Sequence, residues 1–167
     1  RVKYVITDIS MASQDGFSNF LIWLDLDAEQ YYFSSTTPSK FDSSMAARLH
    51  LLNGASSRKG GEAIAPLEHF RLTYESGKKA VKIFEFVKGA KIIGQAPANS
   101  AVTLSADVQT NQGRAFVYEN TARAQPDGLF QFIVPYTNVY KIKIGQKEVR
   151  LNISEEDVLG GKIIKID

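Results

Sequence analysis

Cysteine is absent from the 167 residues, so neither a disulfide nor a thiolate metal site can form. That suits a cytosolic protein and equally an extracellular domain held by its core alone. Histidine is nearly absent too: His50 and His69 stand at no metal-ligand spacing, and structural or solvent-facing roles suit both. No apolar run approaches the roughly 18–20 residues of a membrane helix. Charge of one sign is also missing, since 20 basic and 18 acidic residues leave a net +2. A nucleic-acid binder would need a clustered basic surface, so none is expected as a partner. No Gly-x-Ser-x-Gly elbow appears, Gly60-Gly61 leads into no phosphate-binding pattern, and the carboxylates are scattered. No catalytic residue is assigned.

What is present is the composition of a folded protein, 44% hydrophobic and 23% charged. Val2 to Thr7 reads as a strand. Ser13 to Ala28 reads as a helix, with Phe17, Phe20, Leu21, Leu24 and Ala28 at three- and four-residue steps. Asp25, Asp27 and Glu29 crowd its end, where solvated acids are the ordinary reading. Tyr31-Tyr32-Phe33 reads as a short strand, and residues 34–40 as a polar loop. Next comes a short helix, with Asp42 or Ser43 as cap and Asn53-Gly54 as stop. Asp42, Met45 and Leu49 lie at i, i+3 and i+7 and so share a face, which Leu52 extends. Residues 55–66 read as a mobile loop.

From His69 onward the pattern changes to short strands separated by turn signals. They are read at 70–75, 81–87, 91–95, 101–108, 114–122, 130–134, 139–144, 147–153 and 162–166. The expected fold is therefore α+β. A mixed α/β part with two main helices (residues 1–76) precedes an antiparallel β-sandwich or partly closed β-barrel (residues 77–167). Asn152-Ile153-Ser154 is an N-glycosylation acceptor triplet, which makes Asn152 a candidate modification site.

Three segments resemble one family in order: Arg1-Val2-Lys3-Tyr4-Val5-Ile6-Thr7-Asp8, Ser44-Met45-Ala46-Ala47-Arg48-Leu49 and Leu67-Glu68-His69-Phe70-Arg71-Leu72-Thr73-Tyr74-Glu75-Ser76. The stretch Thr110-Asn111-Gln112-Gly113-Arg114 and the ending from Val149 add a looser similarity. All are similar to the C-terminal soluble part of the archaeal oligosaccharyltransferase catalytic subunit, AglB. That family carries a helical motif Asp-x-x-Lys-x-x-x-(Met/Ile). Asp42, Met45 and Leu49 fall on its three places, with Met replacing Lys and Leu replacing Met/Ile.

The resemblance implies a membrane enzyme that moves an oligosaccharide from a lipid carrier to the Asn of Asn-x-Ser/Thr, facing the outside of the cell. It implies Mg²⁺ or Mn²⁺ for the full-length enzyme and no cofactor in this portion. The catalytic carboxylates and the Trp-Trp-Asp-Tyr-Gly motif are expected upstream of Arg1, so the fragment alone is expected to be inactive. Its implied partners are the acceptor polypeptide and, through the membrane part, the lipid-linked oligosaccharide. Its implied role is acceptor recognition by Asp42, Met45 and Leu49. The rival reading is an extracellular β-sandwich binding or adhesion module without chemistry.

Overall fold

The computed structural model describes residues 3–24, 40–59 and 62–166, apart from the side chains of residues 14, 20 and 23. The acidic group Asp25, Asp27 and Glu29 and the Tyr31-Tyr32-Phe33 strand lie outside the described residues. The elements in order are β1 (Tyr4–Asp8), α1 (Gln14–Trp23), α2 (Met45–His50), β2 (Ser57–Lys59), β3 (Glu62–Ile64), β4 (Phe70–Glu75) and β5 (Val81–Phe86). They continue with β6 (Ala90–Gln95), β7 (Ala101–Gln109), β8 (Ala115–Arg123), β9 (Leu129–Val134), β10 (Asn138–Ile144), β11 (Lys147–Ile153), α3 (Glu155–Gly160) and β12 (Ile163–Lys165).

Strand predominates, because β-branched and aromatic residues recur every second position. β7 shows the rule: Val102, Leu104, Ala106 and Val108 are buried while the residues between them face outward to varying degrees. β7 sits inside a four-stranded sheet, β11-β10-β7-β8, and a second sheet runs β12-β6-β9. Their inward side chains belong to one cluster. Leu104, Tyr118, Tyr140 and Ile142 come from the first sheet, and Ile92, Phe130 and Phe132 from the second. Gly94 on β6 is part of that fit, since a Cβ there would stand 2.6 Å from Cζ of Phe130.

Two open sheets facing each other across one core make a sandwich, and among the described residues no barrel closes. One detail departs from the antiparallel expectation: β12 runs parallel to β6, pairing Ile163–Lys165 with Lys91–Ile93. The connection between them runs through β7 to β11 and ends in α3, far longer than the crossover that a parallel pair requires. Sequence reading placed no helix there, although Ser154 and Asp157 form a complete capping box.

The remaining elements build a smaller layer. β1, β5 and β4 form an antiparallel sheet with β5 in the middle, so its strands come from both sides of residue 76. α2 packs on one face of it, where Leu49, Leu67 and Phe84 form a compact cluster flanked by Val5, Phe70 and Leu72. The stretch read as a mobile loop contains the β2–β3 hairpin, with Arg58 opposite Ala63. Its serine and glycine content hid two strands of three residues each.

Candidate functional site

The site to be tested is the turn of helix that the sequence singled out. It begins one or two residues later than expected, because the cap is Ser44 and not Asp42 or Ser43. Ser44 is extended at φ −66° and ψ 153°, and its hydroxyl accepts from the Ala47 N–H at 3.2 Å. Only after that residue does the chain enter helical geometry, so a side chain two positions earlier cannot reach the free N–H groups. The helix itself ends at His50 with Leu51 as its C-cap, earlier than read; the Asn53-Gly54 pair closes the turn that follows, where Asn53 (φ 56°) and Gly54 (φ 75°) are left-handed and the Gly54 N–H returns to the Arg48 carbonyl at 2.8 Å.

The three aligned positions meet three environments. Met45 is 45% exposed. Leu49, one turn on, is 2% exposed and packs with Leu67 and Phe84, so it anchors the helix to the sheet. Asp42 lies in the turn before the cap and accepts from Lys59 Nζ at 2.7 Å, which ties the entrance of α2 to the hairpin. A groove of about 150 Å³ opens between α2 and that hairpin, lined by Asp42, Ala47, Leu51, Lys59 and Ile64 among others. Leu51 at its edge is 50% exposed. The helix therefore offers apolar surface at its first residue and again just past its end.

Beneath α2 lies a polar support that sequence reasoning missed. Lys82 of β5 is 4% exposed; its ammonium donates to the His50 carbonyl and, at 2.7 Å, to Asn53 Oδ1. A cation at a helix C-terminus satisfies the last carbonyls and opposes the helix dipole. Burial pushes the Lys82 amine down to about 8. Asn53 Oδ1 also accepts from Arg114, whose guanidinium grips Glu75 at 2.6 and 3.0 Å while Thr110 donates to the same carboxylate at 2.6 Å. Glu75 is 1% exposed, and its bonds to Arg114 hold its carboxyl below the usual range. His50 is buried as well, with Nδ1 2.8 Å from the Thr7 hydroxyl, and burial lowers its pKa.

A signal for this support existed in the sequence. Lys82 shares strand parity with Phe84, so the period-two pattern turns a charge inward. What the pattern could not supply was the partners, the His50 carbonyl and Asn53 Oδ1, which come from the end of α2 and the turn after it, about thirty residues earlier in the chain. The network also joins the two layers, because Arg114 precedes β8 and Glu75 ends β4. A second link runs from Arg71 of β4, which bonds Glu85 at 2.7 Å and Glu155 of α3 at 2.6 Å. Arg71 together with Thr137 holds the Glu155 carboxyl down to about 2.

These groups bind and brace, and the hydroxyl–imidazole pair among them, Thr7 with His50, is buried. Among the described residues no three His, Asp or Glu side chains converge as a metal site. No helix of the described residues is long and apolar enough to cross a membrane.

Residues 89–164 match the family model of the archaeal glycosylation protein B long peripheral domain. A curated relative, dolichyl-phosphooligosaccharide–protein glycotransferase 3 of Archaeoglobus fulgidus, is 36% identical over 98 residues, covering 52% of this chain and 11% of its own length. The crystal structure of the Archaeoglobus fulgidus oligosaccharyltransferase with zinc and sulfate superimposes over 99% of this chain and 33% of its own, with a TM-score of 0.80. Over residues 89–164 the chain is similar to the AglB family.

A second AglB structure from the same organism, in complex with an inhibitory peptide and a dolichol-phosphate, matches equally, at TM-score 0.80 and over 30% of its own chain. A third is tethered to an acceptor peptide containing the NVT sequon. At 24% identity these three AglB structures establish the common fold. The chain spans about a ninth of the curated AglB relative and about a third of the structural ones. The family model lies in the sandwich, whereas the structural match extends through the layer that carries α2.

Proposed function

We propose that this chain is the peripheral portion of an archaeal oligosaccharyltransferase. Such an enzyme moves an oligosaccharide from a lipid phosphate carrier to Asn in Asn-x-Ser/Thr on the outer face of the cell membrane. Within it, the α2 turn contributes to recognition of the acceptor's hydroxylated residue. The likeness of residues 89–164 to the AglB peripheral domain and the similar structures solved with acceptor peptide and with dolichol-phosphate support the setting. The exposure of Met45 at the start of a firmly braced turn carries the local assignment.

Each residue then has a physical task. Met45 supplies a flexible, polarizable side chain that fits around a small methyl or β-carbon. Leu49 anchors the helix beneath it, and Asp42 with Lys59 orients the entrance to the turn. A threonine methyl buried against Met45 is worth about 0.8 kcal/mol, a few-fold preference for Thr over Ser. The test is Met45→Ala in the full-length enzyme with paired Asn-x-Thr and Asn-x-Ser peptides. The expected result is a higher acceptor KM and a smaller Thr/Ser ratio, with kcat little changed. An unaltered KM and ratio removes Met45 from the acceptor site.

A further inference from the structure

The triplet Asn152-Ile153-Ser154 closes β11 and opens α3, and its three side chains have three different fates. Asn152 is exposed, opposite Val139 of β10, which is 47% exposed. Ile153 is fully buried in the sandwich core. Ser154 is committed twice: its hydroxyl donates to Asp157 Oδ2 at 2.7 Å and accepts from the Asp157 N–H at 3.2 Å. Asp157 is held in turn by Lys162 Nζ at 2.8 Å.

The structure assigns Asn152 as an N-glycan acceptor that the fold itself withdraws, open to modification only before β11 seats and α3 is capped. The setting rests on the AglB reading, since it needs a compartment that supplies a lipid phosphate-linked oligosaccharide. In the transfer, the Asn152 amide nitrogen bonds to the anomeric carbon of the sugar. The bond from that carbon to the phosphate oxygen breaks, the lipid phosphate departs and one amide proton is released.

A transferase must engage the amide and the hydroxyl of an extended triplet together. In the folded chain that hydroxyl is already bonded on both sides. The triplet is already extended, so an enzyme could take it up only by lifting it off the sheet, which would pull Ile153 from the core and break the ladder pairing Asn138 with Ile153 and Val139 with Asn152. Local opening of this kind is what sets access to a folded segment. The product faces no such obstacle, because Asn152 points outward. A glycan there would lie over Val139 and along β11, an outer strand of its sheet with no second strand beside it among the described residues. Covered outer strands resist pairing with other chains.

The experiment compares two acceptors: a synthetic peptide of residues 147–157 and the folded 167-residue chain. Each is incubated with archaeal membranes carrying oligosaccharyltransferase activity and dolichol-phosphate-linked oligosaccharide, and intact mass reads the product. The peptide gains glycan and its Asn152→Gln form does not. The folded chain reacts at least about tenfold more slowly. Two variants release the block by separate routes, Asp157→Ala by undoing the cap and Ile153→Ala by loosening the strand. Whichever keeps a cooperative melt reacts faster than the parent. Equal rates for peptide and folded chain overturn the gating, and an unmodified peptide overturns the assignment. Neither result bears on Met45, which the assay does not read.

Discussion

The sandwich and the α2 layer are held together by different physics. In the sandwich, side chains from both sheets merge into one apolar cluster, with Tyr118, Tyr140, Ile92, Leu104 and Ile142 fully buried. In the layer, the apolar cluster of described residues is small, and the space beneath α2 is filled by Lys82, Asn53, Arg114, Glu75 and His50. Apolar packing tolerates many arrangements of about the right volume, whereas a buried ionic network is stable only when every member is matched. The first design suits a support. The second suits a turn held in one position, as α2 is.

Substitutions can break or sharpen that contrast. Phe132→Ala in the sandwich removes a ring that is 1% exposed and leaves a cavity, so a loss of about 3–5 kcal/mol is expected in denaturant unfolding. Arg114→Ala leaves Glu75 buried without its cation, with an expected loss of about 3 kcal/mol. The parent's acid dependence has a definite sign. The folded Glu75 carboxyl lies below its unfolded value of 4.5, so its contribution is complete above that pH and is lost as pH falls through the lower folded value. Melts between pH 5 and pH 3 should show this loss in the parent and much less of it in Arg114→Ala.

Lys82→Met separates bracing from mere filling, because it keeps the chain's volume and removes both donations to the end of α2. A cost of about 1–3 kcal/mol is expected, with faster amide exchange in α2 and unchanged protection in β7 and β10. Uniform loss of protection would mean that the two layers form one cooperative unit. Met45→Ala should change stability by less than about 0.5 kcal/mol, since an exposed side chain carries little packing. Set beside a measurement of acceptor KM for the same variant, a change that small with a raised KM would mark a contact residue and not a core residue.

Legibility follows the same division. The strand from Phe70 to Glu75 was read at its true limits, and those from Ala101 and Lys147 to within a residue, because alternation survives wherever one face packs on a shared core. The β2–β3 hairpin escaped because three-residue strands are too short to show a period, and α3, six residues like α2, escaped because its first turn is Glu155, Glu156 and Asp157 and leaves Val158 and Leu159 as its apolar residues. The aligned face of α2 was visible, but not how its members divide. Leu49 points into the sheet and Met45 stands at the rim, a distinction set by how far α2 overhangs the cluster beneath it.

Local chemistry alone thus dictated the strand periods, the left-handed stop at Asn53-Gly54 and the family likeness, because each depends on neighbours in the chain. Which carboxylate meets Arg114, which carbonyls Lys82 holds, and whether the Ser154 hydroxyl is free were settled only once the sheets had packed. Those partners are 32 and 39 residues apart, or belong to a cap that forms only where β11 ends. Buried charges take their meaning from whatever the fold brings beside them, and no spacing along the chain records that.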